Sequence, residues 1–233
     1  MAEFVRVAGH DLNAPLRHID GFAGIARQQL AGGDTAAVGD SLVRIEQAGT
    51  LLRRLVLGMK ASLQLEARPL QIQPLDLSGC VARLLRTKSE VLRRAGARVS
   101  PSGNLPVIDA DPYLLEELLG RLLDNAAQHS GSRAPRIDIS AGKGEGEWHV
   151  CVADDGVGVA PELRSSVFEP FRRMLPPGAE ATAGLGLHVC RRIAERHGGT
   201  IRCDEAAAGG GAAFGFTLPA LRNPPRLRTR RLA

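Results

Sequence analysis

Aromatic residues make up only 3% of the 233 residues, with one Trp and one Tyr, so the core has to be aliphatic. No run of about eighteen apolar residues occurs, and the N-terminal stretch lacks a charged start followed by an apolar segment, so neither a membrane span nor a signal peptide is read. The expected compartment is the cytoplasm, with membrane attachment only if an upstream segment is missing. The four cysteines, Cys80, Cys151, Cys190 and Cys203, form no CxxC and have no histidine at metal-ligand spacing, which favours reduced thiols over disulfides or zinc. Acidic residues are missing from residues 222–233, where Arg222, Arg226, Arg228, Arg230 and Arg231 supply the whole net charge of +5. That stretch reads as a basic disordered tail. No basic face or stacking aromatics accompany it, so no nucleic-acid partner is expected.

What the chain does have is helical patterning. Val5, Leu12, Ile19 and Ala26, with Gly9, Leu16, Ala23 and Leu30, repeat at helix spacing and define one seam. His10 and Asp11 stand on its flank, where an imidazole is reachable while the seam holds its backbone; Pro15 should bend the helix slightly. Gly32 and Gly33 end this helix, and Asp34 or Thr35 caps the next. The second helix carries Leu42, Ile45, Gly49, Leu52, Val56, Met59 and Leu63 at alternating steps of three and four. The two helices form an antiparallel hairpin whose apolar stripes need a cover. A homodimer, giving a four-helix bundle, is the favoured cover; a second domain of the same chain is the competing one.

After a proline-bounded linker over residues 69–74 the composition changes. Residues 75–95 read as one helix with Asp76 or Ser78 as cap. Strand-like runs then fall at 97–100, 107–110, 136–141, 148–153, 200–204 and 213–218, with helices at 112–129 and 185–197. Alternating runs such as IDIS suit a sheet packed on one face by helices, an α+β arrangement.

Three segments join small residues to polar ones beyond what packing requires. In LLGRLLDNAAQHS, Asn125 stands beside an apolar face, and its amide oxygen suits a hard cation such as Mg²⁺. In VADDGVGV a strand runs into Asp154, Gly156 and Gly158. A carboxylate at that place accepts a hydrogen bond from an exocyclic amine, and the glycines admit a flat ligand. In TAGLGL glycines open directly into a helix, whose free N–H groups and positive dipole end suit phosphates. Each is ordinary alone; their order along one chain is not.

With HDLNAP, LLDNA, DDGVGV, FEPF, AGLGL and the HGGTI…GGAAFGFTLP ending in sequence, residues 4–219 resemble the transmitter portion of a sensor histidine kinase. The resemblance implies a dimerisation and phosphoacceptor domain over 1–68 and a catalytic ATP-binding α/β sandwich of Bergerat (GHKL ATPase) type over 69–221. It also implies ATP and Mg²⁺ as cofactors. His10 would accept the γ-phosphoryl group, with Asp11 as the neighbouring base. Asn125 would hold Mg²⁺, Asp154 the adenine amine, and Gly156 and Gly158 the ring. Gly184, Leu185 and Gly186 would meet the phosphates under a lid over residues 172–183, and a response-regulator receiver domain would take the phosphoryl group.

Three positions depart from that family's pattern. Arg121 stands where a second asparagine is usual, Thr182 replaces a glycine, and Ala14 replaces a residue that orients water, so weak dephosphorylation of a regulator is expected. His18, on the same helix with no acid after it, reads as structural. Only nine residues precede His10, so either the chain is a fragment or its input arrives through a partner. The alternative function is a histidine phosphotransfer or scaffold protein with a degenerate ATP-binding domain.

Overall fold

The structure is a computed structural model that describes residues 2–129, 134–170, 184–207 and 210–220, without the side chains of residues 2–11, 61, 62 and 66. The expected lid, Thr182 and the basic tail lie outside the described residues. The chain divides into two compact units, Met1–Ala67 with Phe168–His188, and Arg68–Val167 with Val189–Ala233.

The first unit is built on helices α1 (Ala2–Ala31) and α2 (Thr35–Ala67). The glycine pair ends α1 as expected. Gly33 takes φ 79°, and Asp34 accepts a hydrogen bond from the Ala37 N–H at 3.0 Å. Close to this turn the half-buried Gln29 accepts from the buried Ser41 hydroxyl at 2.8 Å, which pins the register of the two helices. The helix continues through Pro15, whose side chain is buried.

The apolar seams divide between two faces. On α1, Leu12, Ile19 and Ala26 are half-buried while Leu16 and Leu30 are exposed. On α2 the buried positions include Ser41, Ala48 and Leu55, one heptad apart, with Leu65 further along. The expected seam residues Leu42, Val56 and Leu63 remain 45–51% exposed. A spacing of three and four thus covers more surface than one neighbouring helix can take.

The second unit is a sheet with strand order β2-β4-β5-β7-β6, formed by Arg98–Ser102, Arg136–Lys143, Glu147–Asp154, Ala212–Pro219 and Ile201–Glu205. Only β2 with β4 is a parallel pair. Alternation places Ile137 and Ile139 of β4, Val150 and Val152 of β5, and Phe214, Phe216 and Leu218 of β7 in the core. The helices α5 (Pro112–Gln128) and α6 (Gly186–Arg196) contribute Leu114, Leu115, Leu118, Leu119, Leu122 and Leu123, and Val189, Cys190, Ile193 and Ala194. With two phenylalanines as its largest members, this core is aliphatic, as the scarcity of aromatics requires.

The single helix expected over 75–95 is corrected. Its first residues form β1 (Gln73–Asp76), antiparallel to β3 (Val107–Ala110), and the remainder splits into α3 (Leu77–Thr87) and α4 (Ser89–Arg94). Asp76 does cap α3, accepting from the Ser78 N–H. The break falls at Lys88 (φ −95°, ψ 7°), whose ammonium bonds both carboxylate oxygens of Asp124 on α5 at 2.8 and 2.7 Å.

Asp111 fixes the start of α5. It is fully buried and accepts the N–H groups of Tyr113, Leu114 and Gln71. Its own N–H donates to His197 Nε2, and His197 Nδ1 donates to the Ile193 carbonyl at 2.8 Å. Burial lowers the His197 pKa, in keeping with a neutral ring that both donates and accepts. The cysteines are free. Burial pushes Cys80 and Cys203 to about 11 and Cys190 to about 12, so these thiols are inert at neutral pH.

Candidate nucleotide site

Asp154 ends β5 on the same face as Val150 and Val152, in register with Ile137 of β4. Strand alternation therefore aims a carboxylate at the rim of the core, and it is only 7% exposed. Its Oδ1 accepts from the Gly156 N–H at 2.9 Å and the Ala212 N–H at 3.2 Å. Its Oδ2 has no protein partner among the described residues. Burial raises the pKa of this carboxyl, and the two backbone N–H groups oppose that rise. An acceptor oxygen fixed by its twin at the mouth of an apolar core suits a ligand amine.

The loop after β5 meets the end of α5. The Val157 N–H donates to the His129 carbonyl at 3.2 Å, and that oxygen stands 2.6 Å from where a Cβ on Gly156 would lie. Gly158 has φ 69°, and a Cβ there would come 2.6 Å from the Gly210 carbonyl. Both glycines are required by the protein's own backbone before any ligand is considered. Gly211 is closer still, packed with no room for a side chain on the carbonyl of Asp154 itself.

Sequence reasoning gave His129 no role beyond ending its helix. It is half-buried close to Asp154, and burial lowers its pKa while the carboxylate partly raises it. Its signal was spacing, since it is the fourth residue after Asn125 and so shares its side of α5. Asn125 is half-buried one turn before it, with no side-chain partner among the described residues. The structure thus brings Asn125, Asp154, Gly156 and Gly158 into one unit with His129.

The remaining expected site residues belong to the first unit. Gly184 has φ 63° and Gly186 opens α6. The Leu185 side chain is buried there against Leu55, with Leu12, Leu51 and Met59 around it and its Cδ1 beside Gly58. His10 and Asp11 lie in α1, but their side chains lie outside the description.

Residues 110–222 match the family described as histidine kinase-, DNA gyrase B-, and HSP90-like ATPase. Among curated proteins, the methanogenesis regulatory histidine kinase FilI of Methanothrix harundinacea is 34% identical over 224 residues, covering 94% of this chain and 24% of the relative. The histidine protein kinase DivJ of Caulobacter vibrioides is 29% identical over 231 residues, 96% of this chain and 38% of the relative. The chain spans 24–29% of the length of the first three such relatives. Among solved structures, the mycobacterial sensor histidine kinase MprB superposes with a TM-score of 0.54 at 28% identity, over 64% of this chain and 98% of that one. Histidine kinase ThkA, crystallised in complex with the response regulator TrrA, gives 0.68 at 22% identity, over 94% of this chain and 61% of the other, a likeness of fold. The sandwich with its strand-end carboxylate is an ATPase domain of this class. The chain belongs to the transmitter regions of the sensor histidine kinases. No helix among the described residues is long and apolar enough to cross a membrane.

Proposed function

We propose that the chain is an ATP-dependent protein-histidine kinase of two-component signalling, with residues 1–68 as phosphoacceptor domain and 69–221 as ATP-binding domain. The observation that carries this reading is the uncommitted Oδ2 of buried Asp154, set beside the helix that bears Asn125, in a chain whose α1 bears His10 and Asp11. Asp154 accepts the adenine amine, with Gly156 and Gly158 beside the ring. The donor set fits Mg²⁺, because Asn125 offers a half-buried amide with no competing partner among the described residues. When bound, Mg²⁺ supplies charge neutralisation on the phosphates. Gly184 and Gly186 offer backbone N–H groups to the phosphates, with the Leu185 backbone between them.

In the reaction an imidazole nitrogen of His10 attacks the γ-phosphorus in line as the bond to the β-phosphate oxygen breaks. ADP leaves, and Asp11 holds the ring and takes its proton. The phosphoryl group then passes to an aspartate of a response-regulator receiver domain. The exposed stripe of Leu16, Leu30, Leu42, Val56 and Leu63 is the surface on which a second copy completes a four-helix bundle. A mass in solution of one 24.7 kDa chain would rule that dimer out. The proposed compartment is the cytoplasm.

The test of function is to incubate the native chain with γ-labelled ATP and Mg²⁺ and then treat the labelled protein with acid and with alkali. An acid-labile, alkali-stable label is expected. An acid-stable label overturns the assignment of the acceptor to a histidine, and no label from a folded chain overturns the kinase assignment, in favour of a phosphotransfer or scaffold role if ATP does not bind either.

A further inference from the structure

A nucleotide triphosphate brings several negative charges to a site whose own carboxylate, Asp154, is already negative. The glycines and the amide of Asn125 carry no compensating charge. Arg121 is the cation on the same side of α5. Four residues before Asn125, it is displaced by about 40° around the helix and about 6 Å along it. His129, Asn125 and Arg121 therefore form a row of three successive turns. The row starts at the Asp154 carboxylate and runs toward the N-terminus of α5.

The guanidinium is held in a way that suits exchange. Its Nε and one terminal nitrogen both bond a single oxygen of Glu117, at 2.9 and 2.7 Å, one turn earlier on the same helix. Around it lies a groove of about 450 Å³, lined in part by Lys88, Glu116, Glu117 and Asp124. The other cations there are committed between elements. Lys88 binds Asp124 on α5 from the break between α3 and α4, and Arg83 of α3 binds Glu116 at 3.0 Å. Among the described residues Arg121 is tied only along its own helix, at 25% exposure, by a kind of pair that is weak on helix surfaces. A planar guanidinium that cannot ligate a cation can still bind phosphate oxygens with two parallel N–H groups.

We propose that Arg121 is a phosphate-binding residue that trades Glu117 for the terminal phosphate of ATP, taking over part of the charge neutralisation supplied by Mg²⁺. This rests on the nucleotide-binding reading above. Glu117 is then a holding residue that draws the guanidinium one turn toward the N-terminus of α5 while the site is empty. Because Arg121 is the member of the row farthest from Asp154, it favours ATP over ADP.

Calorimetric titration of ATP and ADP into the full chain, with Mg²⁺ and again with excess EDTA, tests this. The native chain is expected to retain measurable ATP binding in EDTA. Arg121→Met should weaken that Mg²⁺-free binding by about tenfold or more, the range of a charge-assisted phosphate contact, and bring ATP and ADP affinities together. Arg121→Lys should recover part of the loss, and Glu117→Gln should tighten Mg²⁺-free binding. If Arg121→Met leaves both the EDTA penalty and the ATP/ADP ratio as in the native chain, the role of Arg121 is overturned while nucleotide binding stands. If the native chain binds no ATP even with Mg²⁺, the nucleotide-binding reading fails and the role of Arg121 with it.

Discussion

His10→Gln is expected to abolish the acid-labile label completely while leaving ATP affinity unchanged. Glutamine is a good helix former of similar reach, so α1 should keep its form, but an amide nitrogen is no nucleophile toward phosphorus. Asp11→Asn should label about a hundredfold more slowly, the range for losing a positioned base, without a change in the KM for ATP. His18 serves as the internal control. It is exposed, and its ring lies edge-on to Phe22 with centroids 6.4 Å apart, so His18→Gln should label as the native chain does. Label surviving in His10→Gln, or vanishing in His18→Gln, would move the phosphoacceptor off His10. Quantitative labelling of the four proteins beside calorimetric ATP titrations separates loss of acceptor from loss of binding.

How far the sequence anticipates this molecule depends on whether a segment's structure is decided by its own residues. Helix α5 was legible almost to the residue, because Asp111 caps it, Pro112 starts it and its leucines keep one period throughout. The break at Lys88 was not. Thr87 and Ser89 flank it as weak helix formers, but neither stops a helix as Pro or Gly does, and the long-range pair with Asp124 that accompanies the break leaves no local trace. Strand β1 was hidden likewise, since Pro74 marks a linker in isolation and only pairing with Val107–Ala110 makes Gln73–Asp76 extended. In the hairpin the period was visible but its division between faces was not, because Leu42 and Leu55 look alike until α1 is in place.

The site shows the same division. Asp154 was legible from a strand running into Asp-Gly, and its burial follows from strand alternation. Its neighbouring glycines have a second reason that the sequence does not show: besides the expected room for a ligand, Gly156 and Gly158 make room for the His129 and Gly210 carbonyls. Close approach between segments far apart in sequence leaves no local trace.

Asp154→Asn is expected to raise the stability of the free protein and to cost about a hundredfold in ATP affinity. Burial places the folded pKa of this carboxyl above the unfolded value, so the fold favours the protonated form. That contribution is fully present below the ordinary carboxylate range near pH 4 and is lost as pH rises through the raised folded value. At pH 7 the ionised group therefore counts against folding, and a neutral amide removes the penalty. The native protein should melt below the variant at pH 7, with the gap closing as the pH falls toward 4. Binding moves the other way. The Gly156 and Ala212 N–H groups both point at Oδ1, so the asparagine must place its oxygen there and its amide nitrogen at the former Oδ2. A donor then faces the adenine amine, also a donor, and a buried polar mismatch of that kind costs about 2–3 kcal/mol. Thermal melts over pH 4–7 and ATP titrations at pH 7 read the two effects separately. Undiminished ATP affinity would remove Asp154 from adenine recognition, and a lower melting temperature at pH 7 would show that its charge is compensated within the fold.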